Sequence, residues 1–352
     1  MRSAAVYACA AASGSALAVD AGRTVSMAAR PDRGRVQQRN INMPNWCANR
    51  LYIKGDKVGI SELKALMRAE RYPYHDGAIV RSIQLFLAGV AGILRPVDDA
   101  EYQPFPELVA AGAGGETAAN RAFSEWLLLL NANAELDDVV SLRIITLYEQ
   151  SGIGLLRWED LTVEQREKIA PIIIKKHFDW MHGSFANAKA PETFWNGISE
   201  RLTGICASGL DLRFVLPTRL AVEINGFNGE LLNGIQSSYD YYVWERYGVK
   251  WPSSIDVEEI GESEEFVAVD FDTAWSPPTG SIFIALSVQY QCEIEHYYSE
   301  AGGDYCGFSV YSSGELTQRG EASLEYAEEN EEGWSEVIGP EWIINNVAHF
   351  GG

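Results

Sequence analysis

Polar and apolar positions alternate over Asn49-Arg50-Leu51-Tyr52-Ile53-Lys54-Gly55, with Leu51 and Ile53 set between polar or amphipathic neighbours. That pattern predicts a short strand closed by glycine. Between Ser61 and Glu70 the period changes: Leu63, Leu66 and Met67 recur at i, i+3, i+4, which predicts an amphipathic helix. Strand then helix is the opening of a βαβ unit.

Residues 76–210 read as largely helical. Thr162-Val163-Glu164-Gln165 is a capping-box pattern, and Pro171 is expected to kink the following helix or start a new one. Pro191 suits the first turn of a helix that puts Phe194, Trp195, Ile198 and Leu202 on one face. Trp126 to Leu130 is too short to span a bilayer and reads as part of a buried helix. The glycine-rich 111–115 stretch predicts a loop.

The last third changes character. Glu265 to Phe271 alternates as a strand, with Phe266, Ala268 and Asp270 on one side and Val267, Val269 and Phe271 on the other. Ser276-Pro277-Pro278 supplies an N-cap and first-turn proline for an apolar helix through Ile282 to Tyr290. Cys292 to Tyr298 and Tyr305 to Ser312 form a hairpin around a glycine-containing loop, and Pro340 opens a closing helix through Ile343, Ile344 and Val347. The order strand–helix–strand–strand–helix predicts an α+β, ferredoxin-like sandwich, an antiparallel sheet with helices on one face. Four segments follow: 1–42, a disordered leader or over-extended start; 43–75, the N-terminal strand and helix of the α+β core; 76–210, a helical insert; and 211–352, an acidic ferredoxin-like domain.

Charge sharpens that division. The formal net charge is -21, and 251–352 holds 21 acidic residues against one basic residue, Arg319. Such a balance argues against a direct grip on nucleic-acid phosphates, which needs basic surface. It leaves either a solvated acidic surface that keeps the protein soluble or an acidic face that docks on a basic partner. No run of apolar residues is long enough for a transmembrane helix. The five cysteines at 9, 47, 206, 292 and 306 form no CxxC pair, which fits reduced, mostly buried thiols of a cytoplasmic protein. Residues 1–42 are Ala- and Arg-rich without clear periodicity, and the stretch ending at Ala16-Leu17-Ala18 makes a weak signal peptide, interrupted by Ser13, Gly14 and Ser15. Met43 is the expected true start.

Motifs for a serine nucleophile, a P-loop or a dinucleotide fingerprint are absent from the sequence. His177 and His182 lack the HExxH pattern. Glu293 and Glu295 alternate away from His296, which disfavours a metal site with Cys306. No metal or cofactor is expected. Asp272 and Glu300 are the catalytic candidates: brought together, two carboxylates serve as a general acid and base or hold a divalent ion. Trp275, Tyr297, Tyr298 and Asp304 are the accompanying ligand-pocket candidates. The bland alternative has Asp272 capping the turn before a helix, with the tyrosines packed on it. Glu325, Glu328, Glu329 and Glu332 recur at i, i+3, i+4, i+7, so a helix there would carry a negative stripe with Trp334 beside it as an aromatic anchor. A solvated acidic loop is the competing reading.

The opening Met43-Pro44-Asn45-Trp46-Cys47-Ala48-Asn49-Arg50-Leu51, with Ile53 and Gly55, resembles the start of the YubB-like family. Three later stretches agree: 247–251 (YGVKW), 271–278 (FDTAWSPP) and 298–307 (YSEAGGDYCG). The resemblance covers 43–75 and about 240–315, while the helical middle departs from the family's shorter members. It implies a ferredoxin-like C-terminal domain, a phage or plasmid setting and no established catalytic residues. The Met43–Asn49 motif is either a functional arm or a structural element in which Trp46 anchors the core and asparagine side chains bond nearby backbone. Together these readings predict a non-enzymatic accessory protein of a mobile element, cytoplasmic in a bacterial host. Its acidic face, Glu325, Glu328, Glu329, Glu332 and Trp334, would inhibit a basic, nucleic-acid-binding host defence protein or nucleoprotein complex. The alternative is a small-ligand module or enzyme around Asp272, Trp275 and Glu300. A third is a scaffold that self-associates through its helical middle.

Overall fold

Strand β1 (Trp46–Gly55) starts three residues before the expected Asn49 and runs into Asp56, whose carboxylate accepts the Gly59 amide hydrogen at 2.8 Å. That N-cap starts helix α1 (Lys57–Met67) four residues ahead of Ser61 and buries Ile60, Leu63, Leu66 and Met67. Gly59 is required by close approach: a methyl there would enter the van der Waals shell of the Tyr290 carbonyl oxygen. The computed structural model describes residues 45–181, 190–202, 205–206, 208–330 and 335–351, so the expected leader, Met43, Cys9 and His182 lie outside the described residues.

Five helices follow, as the middle of the sequence predicts: α2 (Tyr74–Val90), α3 (Ala118–Asn131), α4 (Asp138–Ser151), α5 (Val163–Met181) and α6 (Pro191–Arg201). Thr162 and Gln165 cap α5 reciprocally, at 2.9 and 3.2 Å, and the helix continues through Pro171. The 111–115 segment is a loop, and Trp126, Leu127 and Leu130 are buried. The Trp126 indole N–H donates to Ser82 Oγ at 3.0 Å, which satisfies its polar atom inside the helical core. Phe194, Trp195 and Ile198 are buried and Leu202 packs beside them, so the face expected of α6 is the one it buries. Helix α7 (Leu220–Asn225) joins two cores: Leu220, Ala221 and Ile224 enter the helical one and Val222 the sheet's. A short turn, α8 (Ser238–Asp240), then leads into a π-helical turn, Tyr241–Arg246.

The sheet has six strands in the order β2-β3-β1-β4-β5-β6, with β2 Val257–Glu262, β3 Phe266–Ala274, β4 Cys292–Glu300, β5 Tyr305–Ser312 and β6 Glu315–Ala322. All its pairings are antiparallel, so β1 and α1 do not open a hydrogen-bonded parallel pair. Helix α9 (Gly280–Gln289) connects β3 to β4. Its N-cap is Thr279; Ser276 instead donates its hydroxyl to the Gly248 carbonyl. Leu51, Ile53, Val267, Val269 and Ile294 point to one face, where α1 and α9 cover them. The opposite face carries Tyr52, Tyr297 and Phe308 and is partly covered by helix α10 (Glu341–Ile344) and the chain after it. Helices therefore lie on both faces, and the closing helix stops at Ile344, with Val347 buried beyond it.

Among its described residues, the acidic stretch is not helical. After β6 come β7 (Glu325–Tyr326) and β8 (Val337–Gly339), paired with each other, and Glu325, Glu328 and Glu329 are solvent-exposed. Like charges at helical spacing destabilise a helix, and extended chain separates them. Glu332 and Trp334 lie outside the described residues.

Candidate functional site

Where α10 stops covering its sheet face, a cleft of about 510 Å³ opens over β2, β3 and β1. Asp270 and Asp272 sit in its floor, two residues apart on β3 and so on the same face, while Asp256 and Glu258 enter from the start of β2. The wall is aromatic: Trp46 and Trp251 pack with ring centroids 6.1 Å apart and stay 36% and 42% exposed. Trp46 thus lines a surface cleft instead of anchoring the core.

The four carboxylates differ in how far they are neutralised. Asp270 takes a bidentate pair from Arg50, at 2.6 and 2.8 Å across β1–β3. Asp272 accepts from His349 Nε2 at 2.9 Å, and His349 Nδ1 accepts the Gly351 amide hydrogen at 3.1 Å, so the ring hydrogen resides on Nε2. Asp256 and Glu258 pair with no cation among the described residues. Trp251 already carries one cation on its ring, the Lys250 ammonium 4.8 Å from the centroid. Of the cleft hydroxyls, Thr273 donates to the Ser276 carbonyl at 2.7 Å and Ser254 accepts from Ser208 at 2.8 Å. Negative charge beside aromatic faces suits the binding of a cation.

The residues expected to converge do not do so. Ala48 lies opposite both Asp272 and Ser299, so Glu300, one residue further along β4, projects to the other face. Its buried carboxylate accepts the amide hydrogens of Gly302 (2.8 Å) and Gly303 (2.6 Å), closing the β4–β5 turn. Asp272 caps no helix, because β3 continues to Ala274. Tyr297 stacks on Phe308 on one face, whereas Tyr298 on the other donates to Glu321 at 3.2 Å. Asp304 holds the Leu324 amide at 3.1 Å, and the Trp275 ring lies 4.6 Å from Lys250, outside the cleft lining. Of the six candidates, Asp272 alone lines the cleft.

Asn49 fills the structural role expected of it. Buried, it donates to Cys47 O at 2.8 Å and Thr273 Oγ1 at 2.9 Å, and accepts from His296 Nε2 at 3.0 Å. Burial pushes the Cys47 thiol up to about 12 and the Cys292 thiol to about 11, so neither is a ready nucleophile. Cys306 is also buried and Cys206 exposed. The His75, Asp76 and Asp211 side chains converge as metal ligands do, but the Arg213 guanidinium fills that role, at 2.9 Å from Asp76 and 2.7 Å from Asp211. Sequence reasoning missed Asp256, Glu258, Trp251 and His349. The aromatic-acidic run from Trp251 to Glu259 was a signal for the first three; His349, 77 residues from Asp272, left none.

A family model described as "Protein of unknown function (DUF1281)" matches residues 72–251, and one described as "Ferredoxin-like domain in Api92-like protein" matches 247–341. The first runs through the helical middle. The uncharacterized protein YubB of Escherichia coli (strain K12) is 43% identical over 143 residues, which span 40% of this chain and 98% of that protein. The uncharacterized protein YubA of the same strain is 41% identical over 138 residues, 39% of this chain and 82% of that one. The crystal structure of protein api92 from Yersinia pseudotuberculosis superposes with a TM-score of 0.72 at 35% identity, covering 80% of this chain and 99% of the other.

Proposed function

We propose, since the chain belongs to the DUF1281 family, whose function is unknown, that it acts by binding a cationic segment of a basic protein partner. The observation that carries this reading is the tryptophan-walled cleft in which Asp256 and Glu258 have no counter-ion among the described residues. A guanidinium or ammonium group entering it meets carboxylates and indole faces together, and the aromatic wall adds about 0.5–2 kcal/mol to the ionic attraction. The concentration of acidic residues in 251–352 supplies a long-range field that draws basic partners in. A nucleic-acid-binding host protein is a partner of this charge class, and a protein that filled its phosphate-binding groove would inhibit it. In the mobile-element setting that the sequence resemblance implies, such inhibition would counter host defence.

A labelled oligo-arginine peptide, followed by fluorescence anisotropy, tests the reading. Binding should weaken steeply from low to high salt, and the double variant D256N/E258Q should lose at least tenfold in affinity. E325Q/E328Q, which removes the same charge from the exposed acidic run, should lose little. Equal losses in the two variants would reduce the interaction to unspecific charge attraction and sink the cleft as the binding site.

A further inference from the structure

A second cavity, about 480 Å³, lies on the sheet face opposite the cleft, where the N-terminus of α9 meets β5 and β6. Register builds it. His296, Ser309 and Arg319 form one cross-strand row over β4, β5 and β6, and Tyr311 follows two residues after Ser309. Ser309 and Tyr311 are each 5% exposed, both line the cavity, and neither hydroxyl takes a hydrogen-bond partner among the described residues. Both hydroxyl oxygens stay open to the cavity, so a ligand entering it finds two uncommitted hydroxyls on one wall.

The helix end adds donors. Thr279 makes no side-chain cap, because its hydroxyl donates to the Arg246 carbonyl at 3.1 Å. The first-turn amides of Gly280 and Ser281 have no partner among the described residues, and both residues line the cavity at the positive end of a ten-residue helix. A Cβ at Gly280 would stand 3.0 Å from the Tyr311 hydroxyl, so glycine keeps helix end and hydroxyl open to the same space. Arg319 lines it too, and it is the lone basic residue in the last 102 of the chain. Its guanidinium is shared with Glu321, which also accepts from Tyr298. His296 is buried and neutral: burial holds its imidazole down to about 3, and its Nε2–H is committed to Asn49.

We propose that this cavity binds a small oxyanion, a phosphate or carboxylate group, through the amides of Gly280 and Ser281, the hydroxyls of Ser309 and Tyr311, and Arg319. The site is independent of the cationic-ligand cleft and stands or falls without it. Glu321 opposes the anion and is displaced from Arg319 as the ligand enters.

Titration of the full chain with inorganic phosphate and, separately, with acetate at constant ionic strength, followed by backbone amide NMR, tests the assignment. Saturable shifts of the Gly280 and Ser281 amides are expected, and the anion that saturates at lower concentration identifies the group. Ser309→Ala and Arg319→Gln should each raise Kd at least fivefold; Arg319 is exposed, so its variant keeps the fold. Glu321→Gln should tighten binding. No saturable shift with either anion, an unchanged Kd in both weakening variants, or weaker binding in Glu321→Gln would overturn the proposal.

Discussion

The imidazole of His296 is packed against Phe283, with ring centroids 4.3 Å apart, and it forgoes its charge to be there. Its native value of about 3 lies below the 6.5 of an unperturbed histidine, so the unfolded chain binds the proton more readily between those limits. The sign follows from linkage: this contribution to stability is complete above about pH 6.5 and drains away as pH falls towards 3, by at most about 1.4 kcal/mol per pH unit. Urea midpoints measured at pH 7, 6, 5 and 4 should fall more steeply for the native protein than for His296→Gln. Parallel curves would show that the ring is protonated without cost. The Asp211 carboxyl acts lower on the scale: burial pushes it up, but Arg213 and His75 outweigh that and hold it below the usual carboxylate range. Its contribution is lost only as pH falls below the ordinary range of an aspartate.

Between elements, the Arg213 network ties α2 to the turn at Leu212–Phe214, since His75 and Asp76 open the helix and Asp211 precedes the turn. Arg213→Met leaves Asp211 buried without its guanidinium and should cost about 3–5 kcal/mol, read from the urea midpoint. Asp211→Leu combined with Arg213→Met should recover much of that loss, because a buried ion pair gains little over apolar side chains of similar volume. The elements themselves were unevenly legible. Helices such as α6 and α5 announced themselves, because their buried faces and caps are local in sequence. Strands β2 and β6 did not: they are the sheet's edges, and Glu258, Glu259 and Glu262 in one, with Glu315 and Glu321 in the other, mask the alternation. The cleft was legible at Asp272 and, through the opening motif, at Trp46; Trp251, Asp256, Glu258 and His349 come from a distant loop, an edge strand and the C-terminal segment. Periodicity reports which face a side chain takes; it does not report which strands will be neighbours.

Across the whole molecule, the uneven charge of the sequence is partly resolved inside the fold. Lys64 and Arg68 of α1 bind Glu262 and Glu259 of β2 at 2.8 and 2.6 Å, so the basic N-terminal piece neutralises one acidic edge. The helical core and the sheet core also share α7, and the described residues from 45 onward belong to one compact unit. Unfolding should therefore be one transition: tryptophan fluorescence and the far-ultraviolet circular dichroism signal should give coincident urea curves. Two separated midpoints would mean that the helical core melts on its own. The central place of β1 has a consequence for how the protein is made. Arg50 and Asp270, partners in the middle of the sheet, are 220 residues apart, and a ribosome adding 5–20 residues per second needs about 10–45 s to deliver the second after the first. Throughout that interval the Leu51 and Ile53 side chains have no sheet to enter, while the helical middle emerges and can fold beside them. A nascent chain of this design must shelter its first strand longest, and the helix that follows it, with apolar residues of its own to bury, is the nearest cover available.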